Sequence, residues 1–422
     1  MSKQPVKRGK AKPRKKAKAS TTKRASRPSK AVGERFFEPV LCIIDVVESS
    51  EERVFGLSTA DRLKRQFAQA GITDVLDPTA ASTRNGPVIF VRGDIVIDQP
   101  LIPVLAKRPN LLLVSDEDND TRLAVTLLGL QADDAIALLA GDGPGPDKLK
   151  LLVRSPSGLE VAFWKGLRKR ETPYAEQLTG QNKPAIEWRM FMGTYKGATD
   201  FVTKHVWPRP AFHITRRLAD TPVTPNMVTA VSAACVVLAF WLFFSGHFLA
   251  GLVAAWMMTF LDTVDGKLAR TTLTSSKWGD IFDHGIDLIH PPFWYAAWAF
   301  GLMQGASSWS PHTLWWLLGI IIAGYIVQRL MEGIAIKWLG LEIHIWRPID
   351  TLFRQVTARR NPNLALLSVF SIVALPDWGF AAVALWTALC LGLHGIQLIQ
   401  AFSAKKAGGA LESWMNVSAP VQ

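Results

Sequence analysis

The apolar residues of this chain are concentrated in its second half, where they form six long runs. The runs cover residues 228–244, 249–262, 281–303, 314–336, 364–375 and 380–402. Several approach the ~20 apolar residues that an α-helix needs to cross a bilayer, although the second and fifth runs are short or interrupted by polar residues. The pattern predicts an α-helical integral membrane domain of six transmembrane helices.

The first half alternates strand-like and helix-like segments. Val40–Ile44 and residues 88–91 have the apolar pattern of buried strands. Between them, Ser58 and Asp61 form a Ser-x-x-Asp capping pattern, and an amphipathic run follows as far as Gly71. Alternation of this kind predicts a soluble α/β domain built in three layers.

These patterns divide the chain into five segments. We expect a disordered polybasic tail over residues 1–34, the α/β domain over 35–168, a connector with an interfacial juxtamembrane helix over 169–224, the six-helix domain over 225–405, and a C-terminal tail over 406–422.

The positive charge of the chain belongs to its first residues. The formal net charge is +13, and residues 1–30 contain 13 Lys or Arg and no acid, which leaves 35 basic and 35 acidic residues elsewhere. A basic segment without apolar periodicity predicts disorder and attraction to anionic membrane lipid. Nucleic acid is the alternative partner, which is disfavoured because neither interleaved aromatic residues nor a nucleic-acid-binding motif accompanies the tail.

The loops between the apolar runs also differ in charge. Lys and Arg are absent from residues 245–247, 304–313 and 376–378, and they are present in residues 267–277, 337–360 and 405–406. Because cytoplasmic loops of membrane proteins are enriched in Lys and Arg, both ends of the bundle are expected in the cytoplasm. We therefore expect a multi-pass protein of the inner (plasma) membrane with its polar site facing the cytoplasm.

Four aspartates lie beside or within the second and third apolar runs. Asp262 and Asp265 are three residues apart, and Asp283 and Asp287 are four apart, so each pair lies on one face of a helix. Carboxylates in a membrane are costly unless they bind a cation. Two facing pairs would form an oxygen-rich site for Mg²⁺ or Mn²⁺.

The aspartates belong to a longer motif, D-x2-D-G-x2-A-R-x8-G-x3-D-x3-D, which resembles the signature of the CDP-alcohol phosphotransferases. All eight fixed positions match: Asp262, Asp265, Gly266, Ala269, Arg270, Gly279, Asp283 and Asp287. The resemblance implies an enzyme that passes a phosphoryl-alcohol unit from a CDP-alcohol to an acceptor hydroxyl and releases CMP, in phospholipid biosynthesis. It also implies a homodimer.

The resemblance assigns roles to the motif residues. Asp262, Asp265, Asp283 and Asp287 would hold two metal ions, and Asp287 would also be the general base. Gly266, Ala269, Arg270 and Gly279 would contact CDP. Asn226 and Thr229 match a Pro-Asn-x-x-Thr entry to the first helix and would lie near the nucleotide; a simple turn with a helix N-cap explains them equally well.

The alcohol is expected to contact basic residues outside the motif. Arg329 lies within an apolar run, and Arg354, Arg359 and Arg360 lie in a polar stretch before the fifth run. Such a cluster suits a phosphate-bearing partner. The alternatives are anchoring at the cytoplasmic surface for the last three and an intramembrane ion pair between Arg329 and Glu332.

The α/β segment resembles the sugar-nucleotidyltransferases, with Asp94 in the place of their metal-binding aspartate. In that family a Gly-rich basic loop follows the first strand, whereas residues 44–52 here are acidic and lack glycine. An acidic loop repels a triphosphate, so we expect a degenerate domain. The rival hypotheses are a bifunctional enzyme that also makes its CDP-alcohol, a non-catalytic membrane scaffold, and a metal-ion transporter.

Overall fold

A computed structural model of the chain describes residues 38–45, 52–159, 171–409 and 411–415, which lie within one compact unit, Glu38–Gln422. The predicted polybasic tail, most of the acidic loop and the end of the predicted C-terminal tail lie outside the described residues. So do the side chains of residues 277, 278, 280, 282–284 and 306, and therefore that of Asp283.

The strands lie in the first half of the chain. They are β1 (Val40–Ile44), β2 (Arg53–Val54), β3 (Leu57–Ser58), β4 (Val75–Leu76), β5 (Pro87–Arg92), β6 (Ile95–Ile97), β7 (Leu111–Val114), β8 (Arg122–Leu128), β9 (Leu152–Arg154) and β10 (Ala175–Gln177). Six of them form a mixed sheet in the order β4-β1-β5-β8-β7-β9. Strand β1 runs parallel to β4 and β5, and β8 runs antiparallel to β5 and β7. Two small pairs, β2 with β3 and β6 with β10, are antiparallel.

Helices occur in both halves of the described chain. They are α1 (Thr59–Gln69), α2 (Pro78–Ser82), α3 (Ile102–Lys107), α4 (Ala132–Ala140), α5 (Lys183–Gly193), α6 (Pro208–Ala219), α7 (Pro225–Phe244), α8 (Phe248–Thr271), α9 (Lys277–Gly301), α10 (Pro311–Ile334), α11 (Pro348–Arg354), α12 (Arg360–Ile372) and α13 (Pro376–Lys406).

The α/β region has a helix layer on each face of its sheet. Alternate side chains of one strand enter opposite cores, because successive residues of a strand point to opposite faces. Leu41 packs in one core with Phe67 of α1. Its neighbour Cys42 packs in the other core with Leu138 of α4. This arrangement confirms the predicted three-layer α/β region, and the predicted cap at Ser58 is present, where its hydroxyl accepts from the Asp61 amide at 3.1 Å.

Four helices among the described residues are long and apolar enough to cross a bilayer. They comprise Pro225–Phe244, Phe248–Thr271, Pro311–Leu339 and Pro376–Lys406. The predicted helical second half is therefore confirmed, and four of its helices have the length and hydropathy of membrane spans. The count of six stays a prediction, because α12 has 13 residues, about 20 Å of helix against a hydrocarbon core of about 30 Å.

Candidate active site

The motif lies on α8 and α9, which are joined by a short loop. Asp262 and Asp265 are on the last three turns of α8, and Asp287 is on the first half of α9. The hydroxyl of Ser276 accepts from the amide of Gly279 at 3.0 Å and thereby caps the start of α9. This cap fixes where α9 begins and so places the second half of the motif beside the first.

Asp265 is the most buried carboxylate of the motif among the described side chains, with 4% of its surface exposed. Its Oδ2 accepts from the hydroxyl of Thr229 on α7 at 2.6 Å. Its Oδ1 is buried without a hydrogen-bond partner in the described part of the chain. A buried carboxylate oxygen without a partner is costly, which favours a bound cation at this position.

Arg360, the first residue of α12, joins the other two described carboxylates. Its Nη2 donates to Oδ2 of Asp262 at 2.5 Å, and its Nη1 donates to Oδ1 of Asp287. The guanidinium thus holds a carboxylate of α8 and one of α9 in a single charge-assisted network. Sequence reasoning gave Arg360 a role toward the alcohol and did not anticipate this pairing, since 98 residues separate it from Asp262.

All six predicted CDP-binding residues line one cavity of about 510 Å³, which we call the motif cavity. It is lined, among others, by Asn226, Thr229, Gly266, Ala269, Arg270 and Gly279, together with Asp265. A Cβ added to Gly266 would lie 2.9 Å from Nη2 of Arg270, so glycine at this position leaves room for the guanidinium one turn further along α8.

A second cavity, of about 660 Å³, lies next to the first; we call it the arginine cavity. Its lining includes Asp262, Asp287 and all four arginines predicted to contact the alcohol, Arg329, Arg354, Arg359 and Arg360. Gly266 and Arg270 line both cavities. The two cavities therefore meet along the face of α8 that carries the motif.

Glu332 on α10 organises the arginine cavity. Its carboxylate accepts from Nη1 of Arg329 at 3.0 Å and from Nη2 of Arg359, and it lies 3.1 Å from Nε2 of His344. The predicted pair of Arg329 with Glu332 is present, but it is part of this larger network. No local sequence pattern connects these residues, because Arg359 follows Glu332 by 27 positions.

Arg354 faces the same cavity with two buried nitrogens, Nε and Nη1, that have no hydrogen-bond partner in the described residues. Burial and the neighbouring charge of Arg359 lower the pKa of this guanidinium well below its ordinary value. An arginine in this position is stabilised by an anion that enters the cavity.

His344 makes the stability of this region depend on pH. Burial, together with the charge of Arg359, lowers the pKa of His344 from 6.5 to about 3, despite its hydrogen bond with Glu332. The folded protein therefore keeps this imidazole neutral while the unfolded chain protonates it below pH 6.5. Stability is present above pH 6.5 and falls by up to about 1.4 kcal/mol per unit as the pH drops toward 3.

The matched variants are His344→Gln, which keeps a donor for Glu332 without the titrating ring, and His312→Gln at an exposed position. Thermal unfolding in detergent between pH 7 and pH 4.5 measures the slopes. We expect a shallower loss of stability in His344→Gln than in the wild type and an unchanged slope in His312→Gln. Equal slopes in all three proteins contradict a neutral buried His344.

The fit of a divalent cation follows from the donor atoms. Carboxylate oxygens are the atoms of the described motif side chains that could bind a metal. Oδ1 of Asp265 lacks a hydrogen-bond partner within the described residues. In that same part of the chain no three His, Cys, Asp or Glu side chains converge closely enough to hold a metal, and Asp283 lies outside this test. Oxygen donors suit Mg²⁺ and Mn²⁺, so the residues fit such an ion in chemical type, and the ligand set stays a prediction.

Fold and site together define a protein with four helices that are long and apolar enough to span a membrane, in which the motif cavity meets the arginine cavity. Asp265 lines the first cavity, and Asp262 and Asp287 line the second. Residues 222–394 match the family model described as CDP-alcohol phosphatidyltransferase. This part of the chain is therefore a domain of the CDP-alcohol phosphatidyltransferase family, whose members are membrane-bound transferases and generally depend on divalent metal.

Three curated relatives are similar to parts of the chain. The archaetidylinositol phosphate synthase of Pyrococcus horikoshii is 38% identical over 19% of this chain and 42% of its own length. The bifunctional IPC transferase and DIPP synthase of Rubrobacter xylanophilus is 37% identical over 32% and 34%. The phosphatidylinositol phosphate synthase of Streptomyces avermitilis is 33% identical over 22% and 37%. The chain thus matches less than half the length of each relative.

Proposed function

We propose that this protein transfers a phosphoryl-alcohol group from a CDP-alcohol to an acceptor hydroxyl and releases CMP, in phospholipid synthesis. The observation that carries the proposal is the meeting of two cavities at Gly266 and Arg270. One contains the residues that the family resemblance assigns to CDP, and the other contains the four arginines predicted to contact the alcohol together with Asp262, Asp287 and Glu332. A donor and an acceptor held in them would bring their reacting atoms together on the motif face of α8.

In this proposal Asp262, Asp265, Asp283 and Asp287 hold two ions, Mg²⁺ or Mn²⁺. Bound ions would neutralise the charge of the diphosphate and of the departing CMP. Thr229 holds Asp265 through one oxygen and leaves the other directed to a ligand.

The acceptor oxygen attacks the phosphorus that carries the alcohol, and the bond from that phosphorus to the CMP oxygen breaks. Asp287 takes the proton of the acceptor hydroxyl, and CMP leaves with the bonding electron pair. Arg360 orients Asp287 through its Nη1, so the carboxylate is fixed before the acceptor arrives. Positioning of this kind supplies much of the rate in phosphoryl transfer.

The acceptor that fits the arginine cavity best carries a phosphate of its own. Four arginines face a single cavity, and Arg354 has buried donors that an anion would satisfy. Two relatives are synthases of inositol phosphate lipids by name. We therefore propose an inositol phosphate as acceptor and a CDP-linked lipid as donor.

The membrane arrangement completes the proposal. Helices α9 and α12 would join the four long apolar helices as six spans, with both ends and both cavities on the cytoplasmic side of the inner (plasma) membrane. The Lys and Arg residues of the loops on one side of the apolar runs support this orientation. We also propose a homodimer, as the family resemblance implies.

Replacing Arg354 tests the acceptor assignment. Arg354→Gln removes one charge from the arginine cavity, so the KM for inositol phosphate should rise about tenfold, while the KM for the donor stays the same. Arg354→Lys should recover part of the loss, and Arg209→Gln on the exposed face of α6 should be neutral. An unchanged KM for inositol phosphate in Arg354→Gln contradicts a phosphate in this cavity.

The reaction itself is tested with purified protein in lipid vesicles and a panel of donors and acceptors. CDP-diacylglycerol and CDP-inositol are each combined with inositol, inositol phosphate and glycerol phosphate, and the products are identified by mass spectrometry. The proposal predicts a phosphorylated phosphatidylinositol from CDP-diacylglycerol and inositol phosphate. No new lipid from any pair, with folded protein, favours the scaffold hypothesis.

The α/β domain is proposed to be degenerate. Asp94, which resembles the metal-binding aspartate of nucleotidyltransferases, has both oxygens engaged: Arg92 donates from Nε at 3.0 Å and from Nη2 at 2.6 Å, and Gln177 donates from Nε2 at 2.8 Å. A carboxylate held in this way has less capacity for a metal. CTP-dependent formation of a CDP-alcohol that Asp94→Asn abolishes would instead support the bifunctional alternative.

A further inference from the structure

The α/β region is attached to the end of the motif helix by two arginines of α1. Arg62, which is 4% exposed, donates from Nη2 to the carbonyl of Thr271. Arg65 donates from Nη1 to the carbonyl of Thr272 at 2.9 Å. The last carbonyls of a helix lack intrahelical donors and favour cations nearby. The two arginines therefore stabilise the C-terminal end of α8 next to the motif.

The same region shares a hydrophobic core with α8. Val54 and Phe55 pack in one cluster with Val264 and Leu268, which alternate with motif residues along the helix. Gly56 follows with φ +73°, and a Cβ added there would lie 2.2 Å from the carbonyl oxygen of Ala219. The turn between β2 and β3 thus fits closely against the juxtamembrane helix α6, and its position relative to α8 is fixed by packing.

This turn and α1 form part of the wall of the motif cavity. Phe55, Gly56, Leu57 and Arg65 line it from the α/β region, together with motif residues of α8 and α9. Among its lining residues the charged side chains are Arg65, Arg270 and Asp265. Arg65 is an exposed residue and its guanidinium has several N–H donors, so it can bind a ligand while one nitrogen stays on the Thr272 carbonyl.

We propose that the α/β region completes the nucleotide site of the membrane domain and that Arg65 binds the phosphate nearest the cytidine, which CMP and the CDP-alcohol share. The inference rests on the proposed function, because the ligand of the motif cavity is taken to be the donor nucleotide. It explains how an α/β domain can contribute to function although its Asp94 is held by Arg92 and Gln177. The domain forms a wall of the neighbouring nucleotide site. It also adds Arg65, which lies outside the motif, to the residues that determine nucleotide specificity.

Three variants separate charge from helix capping. Arg65→Gln keeps a donor for the Thr272 carbonyl and loses the charge, Arg65→Lys keeps the charge, and Lys64→Gln removes a neighbouring exposed charge from the same helix. We expect the Kd of CMP and the KM of the CDP-alcohol to rise about tenfold in Arg65→Gln. They should change less than about threefold in Arg65→Lys and not at all in Lys64→Gln, with kcat and the KM of the acceptor constant throughout.

CMP binding is measured by titration of the purified full chain in detergent with Mg²⁺, which requires no turnover. Unchanged CMP affinity in Arg65→Gln, or an equal loss in Lys64→Gln, overturns this inference even where the wild type transfers its group normally. A wild type that binds CMP through Arg65 but transfers nothing overturns the proposed function and leaves the inference supported. A wild type that binds no CMP overturns both.

Discussion

Asp287→Asn is expected to lower the rate of CMP release about a thousandfold, the usual scale for loss of a general base. An amide cannot accept the proton of the acceptor hydroxyl, and it is a weaker metal ligand than a carboxylate. The amide oxygen can still accept from Nη1 of Arg360, so the fold and the link between α9 and α12 should persist. Steady-state CMP release and the thermal unfolding midpoint, measured on the same preparation, distinguish a loss of catalysis from a loss of stability.

The matched control is Asp377→Asn at the start of α13. Asp377 follows α12, which begins at Arg360, so it lies about 20 Å from the site along that helix. It accepts from the hydroxyl of Ser307 at 3.0 Å and has no place in either cavity. Asp377→Asn should keep wild-type activity. Equal activity of Asp287→Asn and the wild type contradicts a role for Asp287 in proton transfer or metal binding.

Arg360→Gln is expected to make the stability of the protein depend on divalent metal. The substitution leaves Asp262 and Asp287 close together without their shared cation. Loss of one partner of this partly buried ion pair should lower the free energy of unfolding by about 2 kcal/mol. The loss is smaller than for a fully buried pair, because the side chain of Asp287 is 39% exposed. A divalent ion that binds the folded site recovers stability in proportion to its affinity.

The measurement is the unfolding midpoint in detergent with a chelator and with Mg²⁺. The rise that Mg²⁺ produces should be larger in Arg360→Gln than in the wild type. Arg347→Gln is the control, because it breaks an ion pair with Asp350 at 2.9 Å that belongs to neither cavity. It should lower the midpoint without changing the response to Mg²⁺. Equal responses in all three proteins would falsify a metal site at these carboxylates.

The motif was readable from the sequence because its residues are close along the chain. Helical periodicity places Asp262 and Asp265 on one face, and the Ser276 cap and α9 bring Asp287 to the same place. The strand at Val40–Ile44 and the cap at Ser58 are likewise local features. For Asn226 and Thr229 the sequence supports a turn and a nucleotide site equally. In the structure Thr224 caps α7, and Asn226 and Thr229 also line the motif cavity.

The sequence could not supply the long-range contacts. Arg360 meets Asp262 across 98 positions, and Glu332 gathers Arg359 and His344 from separate segments. No periodicity encodes such meetings, which depend on how the helices pack. The contribution of Arg65 to the motif cavity is unpredictable from the sequence for the same reason, because Arg65 and Thr272 are 207 positions apart.

The number of membrane spans illustrates a further limit. The sequence contains six apolar runs, and four of the described helices have the length and hydropathy of a span. Helix α12 is short, and α9 contains Pro291 and Pro292. A run of apolar residues fixes neither the length of a helix nor its depth in the bilayer, since both depend on packing against neighbours.

Mg²⁺-dependent release of CMP from CDP-diacylglycerol by the purified wild-type protein in lipid vesicles is the most direct measurement of the proposed reaction. CMP should appear only when inositol phosphate is also present, in a one-to-one ratio with the new lipid, and it should stop when the metal is chelated. CMP that appears without an acceptor, or at the same rate in the chelator, contradicts metal-dependent transfer between the two cavities.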